Sequence, residues 1–183
     1  MQVTFISGIP NDEFEKYEAA LEGMKKQLEK EHEVDFFTVR NMNISYCCGC
    51  FSCWTKTPGL CIFNDDMNLV LKSMATTDYL IYISPLSAGF ITSDTKRVMD
   101  RFIPNALPYI KIYDGECHHP KRYNNNIKLG VVIVDEGDLD NEAAIITTNI
   151  FERLSKNMHA TKFFKATVKA DEMEVILNEI SSC

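Results

Sequence analysis

The sequence predicts an α/β domain built on one doubly wound parallel sheet, with five strands alternating with five helices. Three observations predict it. Short apolar runs rich in β-branched and aromatic residues alternate with longer stretches in which apolar residues recur every three or four positions. The run at 78–85 (DYLIYISP) is apolar almost throughout, as a central parallel strand buried on both faces requires. A regular strand-helix order also implies right-handed crossovers, which place helices on both faces of the sheet.

Gln2–Ser7 (QVTFIS) is an apolar run stopped by Gly8 and Pro10, a buried strand ending in a turn. Phe14, Tyr17, Leu21, Met24 and Leu28 then form the apolar side of an amphipathic helix. Glu15, Lys16, Glu18, Glu22, Lys25, Lys26 and Glu29 fill its other face, which is solvated surface. Residues 34–39 (VDFFTV) supply strand two, and Met67, Val70, Leu71 and Met74 mark helix two. Strand three is 78–85. Helix three starts near Ser93, turns Val98, Met99 and Phe102 inward, and is stopped by Pro104. An irregular stretch over 104–126 carries Cys117, His118 and His119, read as loop polarity because adjacent residues on an extended segment point in different directions. Lys128–Val134 (KLGVVIV) is strand four. Ala143, Ile146, Thr147, Ile150 and Leu154 give helix four, residues 161–168 strand five, and Met173, Ile176, Leu177 and Ile180 helix five.

With 183 residues, 45% of them hydrophobic, and no shift in composition, the expectation is a single domain over 1–183. No basic segment followed by a long apolar stretch opens the chain. No apolar run approaches the roughly 18 residues of a membrane helix, so we expect a cytoplasmic protein with no membrane partner. The net charge is −7 and the basic residues are scattered, which argues against nucleic acid.

The stretch 46–67 (YCCGCFSCWTKTPGLCIFNDDM) holds five of the seven cysteines and the sole tryptophan. Close C-x-x-C spacing without a secretion signal points to metal or redox work rather than a disulfide framework. Cys47, Cys50, Cys53 and Cys61 follow C-x2-C-x2-C-x7-C, and four thiolates within fifteen residues can surround one iron-sulfur cluster or one zinc ion. Cys48 is surplus to a four-ligand site. Asp65 and Asp66 suit the start of helix two, where they cap it and complement its dipole.

These residues carry a resemblance. Cys47, Gly49, Cys50, Cys53, Trp54, Gly59, Cys61, Asp65, Asp66 and Met67 resemble the pattern of the flavodoxin-like NAD(P)H-dependent FMN reductases, and within them the iron-sulfur flavoproteins. So do S-P-L-S-A-G-F at 84–90, Lys96 with Asp100 and Arg101, and His119 with Arg122 and Tyr123. The resemblance implies strand order 2-1-3-4-5, with FMN at the carboxyl edge of the sheet. The loop of Ser84, Pro85, Leu86, Ser87, Ala88, Gly89 and Phe90 would lie along the flavin ring, with Asp135 and Glu136 as a second contact. Ala88 and Gly89 let backbone amides approach a flat ring. The resemblance further implies NAD(P)H or a ferredoxin-like donor, a small electron acceptor such as a quinone, free flavin or oxygen, and a homodimer or homotetramer. No side chain is required as a catalytic acid or base.

The loop after strand one departs from the family. Relatives usually carry G-S-P-x-x-x-G-N-T there, so that amides and hydroxyls at a helix N-terminus cradle the phosphate. Here Ser7, Gly8, Pro10 and Asn11 remain, while the later glycine, asparagine and threonine are absent and Asp12, Glu13 and Glu15 stand nearby. A unit charge pair at 4 Å is worth about 1 kcal/mol in water and about 4 kcal/mol at a protein-surface dielectric. Three expectations follow: the acids turn away from a phosphate held by Ser7, Asn11 and backbone groups, FMN binds weakly, or the chain has lost its flavin and keeps a binding role.

Overall fold

A computed structural model describes residues 1–10 and 15–182. Among the described residues, five strands of the sheet run parallel: β1 (Gln2–Ser7), β2 (Glu33–Thr38), β3 (Tyr79–Ser87), β7 (Lys128–Val134) and β8 (Phe163–Val168). Their spatial order is β2-β1-β3-β7-β8, the 2-1-3-4-5 order expected, with β3 in the middle.

Period-two alternation sorts the strand side chains onto two faces. Tyr79, Ile81 and Ile83 of β3 point to the same side as Val3, Phe5, Val132 and Val134. There they meet Tyr17, Leu21, Met24 and Leu28 of α1 (Glu15–Leu28) and Ile176 and Ile180 of α6 (Glu174–Ser181). Leu80 and Tyr82 face the other way with Ile6, Val131 and Ile133. They pack on α3 (Met67–Thr76), α4 (Ser93–Asp100) and α5 (Asn141–Asn157). Because β3 is apolar on both sides, it belongs to both cores at once. Among the described residues no helix is long and apolar enough to cross a membrane.

Four local features differ from the expectation. Strand two ends at Thr38, and Val39–Asn41 forms a 3-10 turn whose Val39 is buried in the α3 side of the core. Strand three runs on to Ser87 and returns as β4 (Phe90–Ile91), pairing Leu86 with Ile91 and Ser87 with Phe90. Its two turn residues, Ala88 and Gly89, have φ of 50° and 80°, the type I′ hairpin in which both central residues are left-handed. The stretch at 104–126 contains a hairpin of β5 (Lys111–Tyr113) and β6 (Glu116–His118). His118 is buried there, its Nδ1 2.9 Å from Asn157 Oδ1 and its Nε2 3.0 Å from Glu116. Finally, Ser52–Thr55 makes α2, a single turn within the cysteine stretch.

Candidate functional site

At the carboxyl edge of the sheet a cavity of about 360 Å³ opens between two loops. Pro85, Leu86 and Gly89 of the β3–β4 turn line one side; Val134, Glu136, Asp138, Leu139 and Asp140 line the other. Its size falls within the roughly 300–1,000 Å³ of small-molecule and cofactor sites. Proline, leucine and valine supply apolar walls, and carboxylates gather on the β7 side. Asp140 also caps α5, accepting from the Ala143 amide at 3.0 Å.

The β7 loop is tied to α1. The Tyr17 hydroxyl donates to the Asp135 carbonyl at 2.5 Å, and Lys16 pairs with Glu136 at 3.1 Å. Burial, reinforced by the Glu136 carboxylate, pushes the Tyr17 pKa up, so the phenol stays a donor at any ordinary pH. Asp135 bends its own carboxylate back to the Gly137 amide at 2.7 Å, leaving Glu136 as the acid of this pair that lines the cavity.

The expected contacts divide into two layers. Pro85, Leu86 and Gly89 line the cavity, and Ser87 and Ala88 are exposed at the turn. Phe90 packs its half-buried ring on the α3 side of the core. Ser84 lies beneath: fully buried, it donates to the Pro85 carbonyl at 2.8 Å and accepts from the Thr92 amide at 3.0 Å. Ser7 and Gly8 are buried as well, the Gly8 amide donating to the Ile83 carbonyl at 2.8 Å while its carbonyl accepts from the Thr92 hydroxyl at 2.8 Å. Pro10 is exposed, and Asn11 lies outside the described residues together with Asp12, Glu13 and Phe14. Beside this loop stands a residue that sequence reasoning passed over. Arg40 Nη1 donates to the Ile9 carbonyl at 3.2 Å, and the guanidinium pairs with Glu18. A lone arginine after a strand gives no signal of such a position; only the fold brings it beside β1.

The cysteine stretch folds into a second site. Cys47, Cys48, Cys50, Cys53 and Cys61 line one small pocket of about 20 Å³, closed by Phe51, Phe63, Ile103 and Arg101 among others. Cys53 is buried on α2, Cys61 half-buried, and Cys47, Cys48 and Cys50 exposed. Burial pushes the Cys53 thiol up, and the neighbouring Cys61, Cys50 and Cys47 push it in the same direction. The Ser52 hydroxyl and amide hold the Cys50 thiol below its usual range.

Long-range hydrogen bonds fix the loop. Trp54 Nε1 donates to the carbonyls of Ile103 and Ala106 at 3.1 and 3.0 Å, and its ring stacks on Phe51 at 5.3 Å and meets His119 at 4.9 Å. Arg97 and Arg101, on or just past α4, donate to the carbonyls of Ile44 and Ser45 at 3.0 and 3.2 Å. Asp65 goes beyond helix capping. It accepts from the Met67 amide at 3.2 Å, the Ser45 amide at 2.9 Å and Arg101 at 2.5 Å. Burial acts to raise its pKa, but Arg101 and Ser45 outweigh it and hold the carboxyl below the usual range. Asp66 accepts from the Asn43 amide instead of capping α3.

Four sulfur donors on one pocket suit an iron-sulfur cluster or zinc. Among the described residues, no three His, Cys, Asp or Glu side chains are grouped to hold a metal ion.

Residues 1–119, which span the β1 loop, the cysteine pocket and the β3–β4 turn, match the family described as NADPH-dependent FMN reductase. The chain belongs to that family. An iron-sulfur flavoprotein of Methanocaldococcus jannaschii is 32% identical over 104 residues, covering 57% of this chain and 53% of that protein. The chain thus spans about half the length of this relative. Among solved structures, an FMN-dependent NADH-azoreductase from Bacillus anthracis in complex with FMN superposes with a TM-score of 0.60 at 12% identity, covering 100% of this chain and 95% of that one. An NAD(P)H:quinone oxidoreductase from Methanothermobacter marburgensis gives 0.61 at 15% identity, over 93% and 87%. At such identities the superpositions establish the flavodoxin-like fold.

Proposed function

We propose that this protein is an FMN-dependent oxidoreductase that takes electrons from NAD(P)H or a ferredoxin-like donor and passes them to a small acceptor such as a quinone, free flavin or oxygen. The observation that carries the reading is the cavity at the carboxyl edge, walled by Pro85, Leu86 and Gly89 on one loop and by Val134 and Leu139 on the other. It lies where doubly wound sheets hold their ligands. Bound FMN supplies hydride and single-electron chemistry; the protein supplies position, exclusion of water and electrostatics.

In this reading Pro85, Leu86 and Leu139 flank the ring, and the turn at Ala88 and Gly89 offers backbone groups to its polar edge. Ser84 and Thr92 hold that turn from below. Ser7, Gly8, Pro10 and Asn11 would serve the phosphate end, with Arg40 as the nearby cation. Cys47, Cys50, Cys53 and Cys61 would hold an iron-sulfur cluster, with zinc as the rival occupant, and the protein would act as a homodimer or homotetramer in the cytoplasm.

One observation favours a second reading, in which FMN binds weakly or the fold keeps only a binding role. Glu136, Asp138 and Asp140 all line the cavity, adding negative charge to an already acidic β1 loop. Titrating the native protein with FMN decides between the two. Saturable quenching of flavin fluorescence supports the flavoenzyme, and its absence supports the alternative. Iron, sulfide and zinc analysis of anaerobically purified protein identifies the occupant of the cysteine pocket.

A further inference from the structure

Among the described residues Arg101 has the largest fully buried side chain, 2% exposed, and the proposed function gives it no task. It lies just past α4, where the helical pattern leads one to expect a solvated cation. Instead it lines the cysteine pocket. Nη1 is engaged, donating to Asp65 at 2.5 Å and to the Ser45 carbonyl at 3.2 Å, and the guanidinium lies 5.5 Å from the Phe63 ring. Nε and Nη2 are buried with no hydrogen-bond partner. A guanidinium carries five N–H groups, so the three on Nε and Nη2 are left without an acceptor at the wall of a largely apolar pocket.

Such an arrangement carries a desolvation penalty unless something anionic completes it. Five cysteine thiols line the same pocket. Four thiolates around a divalent or cluster cation leave a net negative centre, and hydrogen bonds to the sulfurs are one of the means by which a protein sets the potential of such a centre.

We propose that Arg101 is a positioning residue of the cysteine pocket, donating from Nε and Nη2 to thiolate sulfur when the four cysteines hold a metal centre. Asp65 holds the guanidinium by Nη1, on the side away from that task, and fixes its orientation. The inference rests on the cysteines binding a metal, as proposed above. It predicts that the centre is more easily reduced and more tightly held with Arg101 than without it.

The test uses full-length protein, reconstituted anaerobically with ferrous iron and sulfide, and in parallel titrated with cadmium alone, whose thiolate charge-transfer absorption reports binding. Wild type is compared with Arg101→Lys, Arg101→Gln and the double variant Asp65→Asn with Arg101→Gln, which leaves no unpaired carboxylate. Circular dichroism of each variant verifies the fold. The expected result is at least a tenfold weaker cadmium affinity in both glutamine variants and partial recovery in Arg101→Lys. The cluster potential should fall by about 59 mV, a tenfold change in a one-electron equilibrium. Wild-type affinity and potential in the folded double variant would overturn the role of Arg101 while leaving the metal reading standing. Failure of wild type itself to bind cadmium or assemble a cluster would overturn both.

Discussion

Thr95 occupies the space that a side chain at residue 8 would need: its hydroxyl oxygen stands 1.7 Å from where a Cβ on Gly8 would lie. The Thr92 hydroxyl is 2.7 Å from the same point, and it also bonds the Gly8 carbonyl and the Thr95 hydroxyl. Gly8 therefore allows the start of α4 to dock closely on the end of β1. Gly8→Ala should cost about 1–3 kcal/mol of stability, since neither threonine can swing away without losing buried hydrogen bonds. Thr95→Ala in the same chain should recover part of that loss in urea unfolding. Unchanged stability of Gly8→Ala would mean the α4 contact yields freely.

Asp65 and Arg101 form a buried pair, their side chains 5% and 1% exposed. Removing one partner of such a pair costs about 3–5 kcal/mol, because the other charge is left buried alone. Asp65→Asn should lower stability by that order at pH 7. The pH dependence has a definite sign. A carboxyl whose folded pKa is depressed contributes fully above its unfolded value of about 3.9, and loses that contribution as pH falls through the folded value. Thermal melts from pH 7 to pH 3 should therefore show wild type and Asp65→Asn converging below pH 4. Parallel curves would contradict the pairing.

Ala88 sits at φ 50° beside Gly89 at φ 80°, a left-handed pair that asparagine-glycine suits far better than alanine-glycine. Ala88→Asn should stabilise the protein by roughly 0.5–1 kcal/mol, through relief of a conformation unfavourable to alanine. The urea midpoint would rise with an unchanged slope. A lower midpoint would mean that the turn differs from type I′.

Asp138 lines the cavity at the carboxyl edge without serving as a helix cap. A unit charge pair at 4 Å is worth about 1 kcal/mol in water, so Asp138→Asn should tighten FMN binding by roughly fivefold at low salt. Screening should shrink the gain as ionic strength rises. Equal affinity for both proteins at low salt would exclude this carboxylate as a source of repulsion.

The parallel sheet was legible because burial on two faces leaves a plain mark. Residues 79–83 of β3 face two cores and are hydrophobic at every position. The β5–β6 hairpin left no such mark, since Ile112 is 75% exposed and the strands are three residues each. The two-residue β4 is too short for any period. In the site, the cysteine spacing and the β3 loop could be read from the sequence, and the sequence also places Ser84 in that loop. Its buried position beneath the turn depends on Thr92, eight residues away, and could not be read. Arg40 and Arg101 were hidden for a related reason. A charged residue is expected in water, and only the tertiary fold shows Arg40 half-buried against the Ile9 carbonyl and Arg101 buried at the cysteine pocket.

FMN is proposed to bind in the cavity between the β3–β4 turn and the β7 loop. Fluorescence titration of the purified protein with FMN, repeated with a Gly89→Val variant, tests it most directly. Wild type should show saturable quenching and the variant at least tenfold weaker binding, because its added bulk sits at the cavity wall in a left-handed conformation that valine resists. No quenching by saturating FMN, or equal affinity for a folded variant, would contradict it.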